Sequence, residues 1–339
     1  MLLCNWNIGV LVLIELYDIS GIPYRGMLRQ WLLLEDLSVS SSTGDRQTAS
    51  DTRTFLLELF KLYPEFPKNP FYIAGESYGG VYTATLGSEL VKGITANVKP
   101  EINFKGYMVG NAKTNTEIDD NSVMSFAHDM GLISDDLYQV LEDLNVLNIL
   151  KPCYRGPEDN ITTSTALIPE TFREFGITER PLTLRERGGA NCTDDELDGV
   201  ATTWLNNEAV RKALHAENES VAGKWMICDE LNYVSDSGSM IEYHKQLTSL
   251  GIRALIFSGD HDMRVPFTGT QAWTRSIGYK IVDEWRPWYV DDHQVAGFIQ
   301  GYDNDLTFLT IKGAGHTVVR DKPKEAFEFY SRWLEGKRI

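Results

Sequence analysis

The sequence NPFYIAGESYGGVY, residues 69–82, decides how the rest of the chain is interpreted. It contains a short apolar run at 71–74, followed by GESYG at 75–79, which matches the pattern GxSxG. In that pattern a strand leads through a sharp turn into a helix, and the serine, here Ser77, lies in the turn. Glycines flank the serine because a Cβ atom at either position would collide with neighbouring backbone. The stretch predicts a nucleophilic serine on an α/β sheet; the alternative interpretation is a turn of small residues that serves packing only.

Strand and helix patterns alternate on both sides of this turn. Apolar runs predict strands at 9–16, 71–74, 104–111, 254–257 and 308–311. Helical spacing predicts helices at 49–62, from Gly80 onward, and at 204–216, 239–250 and 323–336. Between the strands predicted at 254–257 and 308–311, the sequence predicts irregular structure from about 258 to 306. The alternation is typical of a mostly parallel sheet with helices on both faces.

Candidates for an acid and a base follow two of the predicted strands. A serine hydroxyl needs a base, and the base needs an acid that orients it. In folds with this turn the three residues occur in the order Ser, Asp, His. Asp260 and Asp262 follow the strand at 254–257, and His316 follows the strand at 308–311. Because active sites of open α/β sheets lie at the carboxyl ends of strands, we expect these residues to meet. Spacing does not distinguish Asp260 from Asp262, and His261 is a weaker alternative to His316 as the base.

Composition and charge exclude several classes of protein. The 339 residues include 32 Lys and Arg against 48 Asp and Glu, which gives a net charge of −16. Such a chain disfavours nucleic acid and anionic membranes as partners. The longest apolar run, 9–14, is far shorter than the roughly 20 residues of a membrane-spanning helix. Residues 1–16 lack the basic start and the cleavage site of a signal peptide.

Cysteines and glycosylation motifs give weaker indications. The four cysteines include no CxxC pair and so do not favour a structural zinc site, and the predicted chemistry needs no cofactor and no metal. Asn-X-Ser/Thr motifs occur at Asn160, Asn191 and Asn218 and favour a secreted glycoprotein.

The chain resembles the plant serine carboxypeptidases, in the branch related to carboxypeptidase I. The resemblance is carried by NPFYIAGESYGGVY (69–82), INFKGYMVGN (102–111), WLNNEAVRKALHAE (204–217), SMIEYHKQLTSLG (239–251), ALIFSGDHDMRVPFTGTQAW (254–273) and FLTIKGAGHTV (308–318). It implies an α/β-hydrolase fold with a helical cap insertion. It also implies a secreted or vacuolar enzyme that removes C-terminal residues from peptide or protein substrates. The oligomeric state stays open, with a homodimer as one outcome of the resemblance.

The resemblance also implies roles for individual residues. It places the nucleophile at Ser77, the acid at Asp262 and the base at His316, and it makes the backbone N–H of Tyr78 an oxyanion donor. Glu76 would hydrogen-bond the terminal carboxylate of the substrate. A Glu side chain can donate to a carboxylate only when it is protonated, which explains an acidic working range. The alternative for Glu76 is a structural role in the turn.

Domain boundaries follow from a break in the alternation of strands and helices, and the disulfide follows from the resemblance. Residues 1–113 form the first part of the core, 114–230 the cap insertion, and 231–339 the second part of the core with acid and base. A linker-like stretch at 155–190 resembles the segment that is excised in two-chain relatives. The resemblance pairs Cys153 with Cys192 in a disulfide inside the insertion and leaves Cys228 free.

One departure from the family lowers the expected activity. The family carries a glycine-rich NGGPG segment upstream of the nucleophile, which supplies the second oxyanion donor and groups that bind the terminal carboxylate. The sequence before Ser77 has no such segment. Early strands of the sheet are therefore expected to be missing, and the strand that leads to Ser77 is expected to lack a neighbour on one side. The sequence predicts a serine-type carboxypeptidase that is weak or inactive; the alternatives are an acyltransferase of the same family that uses sugar-ester donors, and a catalytically dead remnant.

Overall fold

The computed structural model describes residues 2–4, 10–17, 23–29, 43–132, 202–213, 216, 219–225, 228–230, 233–290 and 294–339. The predicted disulfide Cys153–Cys192, the glycosylation motifs at Asn160, Asn191 and Asn218, and the stretch 155–190 lie outside these residues. Most of the predicted insertion also lies outside them, so the division at 113 and 230 stays a prediction. Within the described part of the chain, no helix combines the length and the apolar character that crossing a membrane requires.

An eight-stranded sheet forms the centre of the fold. Its strands are β2 (Val10–Tyr17), β3 (Pro23–Arg29), β5 (Phe71–Glu76), β6 (Phe104–Gly110), β9 (Arg253–Gly259), β10 (Ile281–Val290), β11 (Gln294–Tyr302) and β12 (Leu306–Ile311). The order across the sheet is β10-β11-β12-β9-β6-β5-β2-β3. The four central strands, from β12 to β5, are parallel, and two antiparallel strands extend the sheet at each edge. Two short pairs stand apart from it: β1 (Leu2–Cys4) with β7 (Cys228–Glu230), and β4 (Thr43–Gly44) with β8 (Tyr233–Val234).

Helices cover both faces of this sheet. The described helices of the chain are α1 (Asp45–Leu62), α2 (Gly79–Thr95), α3 (Thr116–Asp129), α4 (Glu208–Ala213), α5 (Glu219–Ala222), α6 (Ile241–Ser249), α7 (Phe267–Ser276), α8 (Val318–Asp321) and α9 (Pro323–Leu334). Successive side chains on a strand point to opposite faces. Ile73 accordingly belongs to the core cluster with Leu56 of α1 and Leu247 of α6, whereas Tyr72 packs against Trp333 of α9 with ring centroids 5.5 Å apart. The predicted α/β fold with helices on both faces is confirmed.

Two expectations about the sheet are wrong. The strand that leads to Ser77 has neighbours on both sides, since β5 pairs with β6 in parallel and with β2 in antiparallel register, Val10 opposite Gly75. The stretch from 258 to 306 is also not irregular, because it contains α7 and the antiparallel strands β10 and β11. The sequence pattern did not predict β10 as a strand because the strand contains Pro287 and because its pairing with β11 shifts register repeatedly. A proline is tolerated there because β10 lies at the edge of the sheet.

Candidate functional site

Ser77 lies in a sharp turn between β5 and α2. Its φ angle is +60°, in the left-handed region that residues with a side chain rarely adopt. The Ser77 N–H donates to the carbonyl oxygen of Gly110 at 3.0 Å, and its own carbonyl accepts the N–H of Gly80 at 3.0 Å. A Cβ atom on Gly75 would collide with the carbonyl of Gly79, so the two glycines of the motif touch each other. The predicted sequence of strand, tight turn and helix is therefore present.

Asp262 is completely buried in the loop that follows β9 and accepts three hydrogen bonds. Its Oδ2 accepts from His316 Nδ1 at 2.8 Å and from Asn111 Nδ2 at 2.6 Å, and its Oδ1 accepts the backbone N–H of Arg264 at 2.7 Å. These contacts distinguish the two aspartates that spacing leaves equivalent.

Asp260, by contrast, contacts the neighbouring His261 and accepts the backbone N–H of Gly313 at 2.7 Å. Neither of these two bonds is to His316. The Asp260–His261 pair therefore braces the loop after β9 against the loop after β12. The structure brings Asp262, not Asp260, to His316.

His316 follows β12 and lies buried beside this carboxylate. Its Nδ1 is bonded to Asp262, whereas its Nε2 has no hydrogen-bond partner among the described residues. The described structure thus joins the predicted acid and base directly, but it does not include a hydrogen bond from Ser77 Oγ to His316. Such bonds often tighten only when a substrate is bound.

The pKa values of His316 and Glu76 are both shifted upward. Burial alone would lower the pKa of His316, but the charge of Asp262 and its hydrogen bond, together with Glu76, raise it on balance. Glu76, directly before Ser77, has its pKa raised to about 7, chiefly because the surrounding protein removes water from the carboxylate. The charge of His316 and a side-chain hydrogen bond with Thr317 partly offset that effect.

Tyr78, the residue after Ser77, is fixed through its side chain. Its hydroxyl donates to Asp45 Oδ1 at 2.9 Å and lies 2.8 Å from Ser235 Oγ. Asp45 is buried at the first turn of α1, where it also accepts from the hydroxyls of Tyr233 and Ser237, each at 2.6 Å. Together these residues, Asp45, Tyr78, Tyr233 and Ser237, form what we call the Asp45 cluster. It ties the turn to α1 and to the segment around β8.

Asn111 and Asp45 are the two residues near the site that the sequence interpretation missed. Asn111 is the last residue of a predicted strand, and only its φ angle of +42°, which asparagine tolerates better than most residues, sets it apart. An acidic residue at the start of a helix, such as Asp45, is favourable for the helix dipole and so gives no signal of its own.

Comparisons with known proteins identify the family of the chain. The family model described as "Serine carboxypeptidase" matches residues 35–336. Serine carboxypeptidase 1 of Hordeum vulgare is 48% identical over 350 residues, covering 88% of this chain and 69% of that protein. Serine carboxypeptidase-like 21 of Arabidopsis thaliana is 47% identical over 360 residues, covering 88% of this chain and 71% of that protein.

Among solved structures, the fold resembles Kex1(delta)p, a prohormone-processing carboxypeptidase from Saccharomyces cerevisiae. The TM-score is 0.69 at 14% identity, with 94% of this chain and 75% of that chain covered. At that identity the likeness concerns the fold alone, an α/β hydrolase. With the sequence matches beside it, the chain belongs to the serine carboxypeptidase family.

Proposed function

We propose that the chain cleaves the last peptide bond of a peptide or protein through Ser77, His316 and Asp262. Ser77 Oγ attacks the carbonyl carbon while His316 Nε2 takes the hydroxyl proton. The C–N bond then breaks, the leaving amino group receives that proton, and an acyl-enzyme ester remains at Ser77. Water repeats the sequence and releases the shortened peptide. The observation that carries this proposal is the buried Asp262–His316 hydrogen bond of 2.8 Å. It lies at the carboxyl ends of the central strands, as Ser77 does.

Glu76 and Tyr78 complete the proposed site. The backbone N–H of Tyr78 would donate to the oxyanion that forms on the substrate carbonyl. Glu76 would donate a hydrogen bond to the terminal carboxylate of the substrate, for which it must be protonated. A pKa of about 7 leaves Glu76 mainly protonated at mildly acidic pH, which supports this role.

The proposal includes the location of the protein and its covalent modification. A secreted or vacuolar location, glycosylation at Asn160, Asn191 and Asn218, and the Cys153–Cys192 disulfide rest on the sequence and on its resemblance to the family. Acyl transfer is the alternative reaction, because it would also pass through an acyl-enzyme at Ser77, formed from a sugar ester and attacked by an acceptor other than water.

The experiment is turnover of a blocked dipeptide by the purified chain between pH 4 and 7. We expect release of the C-terminal amino acid, and loss of that activity by about 10⁴-fold or more in Ser77→Ala, since the three residues act as a unit. Ser249→Ala, an exposed serine on α6, is the matched control and should behave as the parent. A fluorophosphonate probe should label Ser77; labelling of another serine, with Ser77 unmodified, would contradict the assignment.

A second arm of the experiment separates hydrolysis from transfer. Adding an alcohol acceptor and a sugar-ester donor should leave peptide hydrolysis the faster reaction. The same assay decides between this proposal and the weak activity expected from the sequence: robust turnover that Ser77→Ala abolishes supports the proposal and overturns that expectation.

A further inference from the structure

We propose that Asn111 is a positioning residue for the site: its side-chain amide holds the Asp262 carboxylate in the orientation that receives His316. The inference rests on the proposed roles of Ser77, Asp262 and His316, and it adds a residue to which the sequence gives no role.

The first support is the sharing of one oxygen atom. Asp262 Oδ2 accepts from Asn111 Nδ2 at 2.6 Å and from His316 Nδ1 at 2.8 Å. The other oxygen, Oδ1, is occupied by the backbone N–H of Arg264 at 2.7 Å. A carboxylate held by donors at both oxygens cannot rotate without losing at least one of them. Of these three hydrogen bonds to Asp262, two come from side chains, those of His316 and Asn111.

The second support is that Asn111 is itself held firmly. It is completely buried, and its Oδ1 accepts the backbone N–H of Gly259 at 3.2 Å. Its own backbone N–H donates to the carbonyl of Phe257 at 2.9 Å. Both partners belong to β9, the strand that ends in the loop carrying Asp262. The amide is thus fixed to the same strand whose loop it orients.

The third support is the position of Asn111 between the two halves of the site. The preceding residue, Gly110, accepts the backbone N–H of Ser77 at 3.0 Å. The end of β6 consequently joins the turn of Ser77 on one side and the loop of Asp262 on the other. The left-handed φ angle of +42° at Asn111 turns the chain at this junction.

The asparagine side chain suits this role better than other side chains of similar shape. An amide donates through Nδ2 and accepts through Oδ1, so it satisfies both Asp262 and the Gly259 N–H at once. Aspartate has the same shape but would place a second carboxylate against Asp262. Because Asn111 is neutral, it orients the Asp262 charge without neutralising it, and that charge remains available to His316.

Removal of the amide alone tests the proposal. Asn111→Gly deletes the side chain while keeping a residue that accepts a positive φ angle. We expect kcat to fall about 10- to 100-fold, the scale that misplacement of a catalytic group produces, with KM changed less than about twofold. The matched control is Asn97→Gly, which alters an exposed asparagine at φ +55° after α2 and should retain the kinetics of the parent.

A double-mutant cycle separates positioning from general stability. If Asn111 acts through Asp262, Asn111→Gly should add almost nothing to the loss caused by Asp262→Asn. Multiplicative losses in the double variant would overturn the proposal, as would an unchanged kcat in Asn111→Gly. If Asn111→Gly does not fold, Asn111→Ala, which removes the donor without adding a charge, takes its place in the cycle.

A readout that does not need turnover separates this inference from the proposed function. The proton of His316 Nδ1, bonded to a carboxylate, should give a proton resonance far downfield of the amide region in the parent. We expect that resonance to shift or vanish in Asn111→Gly and to persist in Asn97→Gly. An unchanged resonance in Asn111→Gly refutes the positioning role even if the chain has no activity. Absence of Ser77 labelling in the parent would instead count against the proposed function.

Discussion

Gly259 and Gly315 lie so close together that a Cβ atom on Gly259 would overlap the carbonyl oxygen of Gly315. Gly259 ends β9 just before the loop of Asp262, and Gly315 directly precedes His316. The backbone segments that carry the acid and the base therefore touch, and the 2.8 Å bond between the two side chains depends on that approach.

Gly259→Ala should push these two segments apart. We expect a loss of stability of about 1–3 kcal/mol from overpacking and a drop in turnover larger than the loss of folded protein explains. Urea denaturation and a dipeptide assay measure the two effects. Gly336→Ala is the control, because a Cβ there meets no atom within 4 Å and costs only the strain of its φ angle of +67°, about 1–2 kcal/mol. Unchanged turnover in folded Gly259→Ala would show that the approach is not needed.

Asp45→Ala should destabilise the chain by about 3 kcal/mol, since it leaves the hydroxyls of Tyr233 and Ser237 without their acceptor. The free energy of unfolding from urea titration is the measurement. Asp51→Ala removes an exposed carboxylate of the same helix, which accepts from Gln47 at the surface, and should cost less than about 0.5 kcal/mol. Equal effects of the two substitutions would contradict the structural importance of the Asp45 cluster.

His244 should make the folded state sensitive to acid. Burial between the rings of Tyr107 and Trp273 lowers the pKa of His244 to about 3, from an ordinary value of 6.5. Between these values the unfolded chain binds a proton that the folded chain does not, so stability is lost as pH falls below about 6.5. The loss from this group at pH 5 is about 2 kcal/mol, from 1.36 kcal/mol per pKa unit.

His244→Phe should remove that part of the acid sensitivity. The variant is expected to be less stable than the parent at pH 7, because the hydroxyl of Tyr107 loses its 2.8 Å bond to Nδ1. Its unfolding free energy should nevertheless decline less between pH 7 and 5. His128→Gln, at an exposed histidine of α3, serves as the comparison and should keep the slope of the parent. The same slope in His244→Phe would mean that other groups set the acid response.

Glu76 should control how substrate binding depends on pH. With a pKa of about 7, the carboxyl is mainly protonated below that pH, and in its proposed role it would then donate to the terminal carboxylate of the substrate. KM should therefore rise as the pH passes upward through about 7. Glu76→Gln, which donates at every pH, should flatten that rise, whereas Glu101→Gln at an exposed site should not. An equally steep rise in Glu76→Gln would assign the pH dependence to another group.

The positions of Ser77 and His316 could be predicted because each follows a strand with a clear apolar pattern. The choice between Asp260 and Asp262 could not, since it depends on burial and on which carboxylate reaches His316 across two loops. Asn111 was missed for a related reason: its partners, Gly259 and Asp262, lie about 150 positions away along the chain. Antiparallel edge strands such as β10 were hidden because an edge strand tolerates Pro287 and shifts of register.

The left-handed backbone of Ser77 has an evolutionary consequence. A non-glycine residue at φ +60° costs about 1–3 kcal/mol, and glycine would relieve that strain. In a lineage that no longer used this hydroxyl, substitution of Ser77 by glycine would therefore increase the stability of the protein and remove its nucleophile. A serine at this position is thermodynamically the poorer choice, and selection for chemistry is the force that can keep it there.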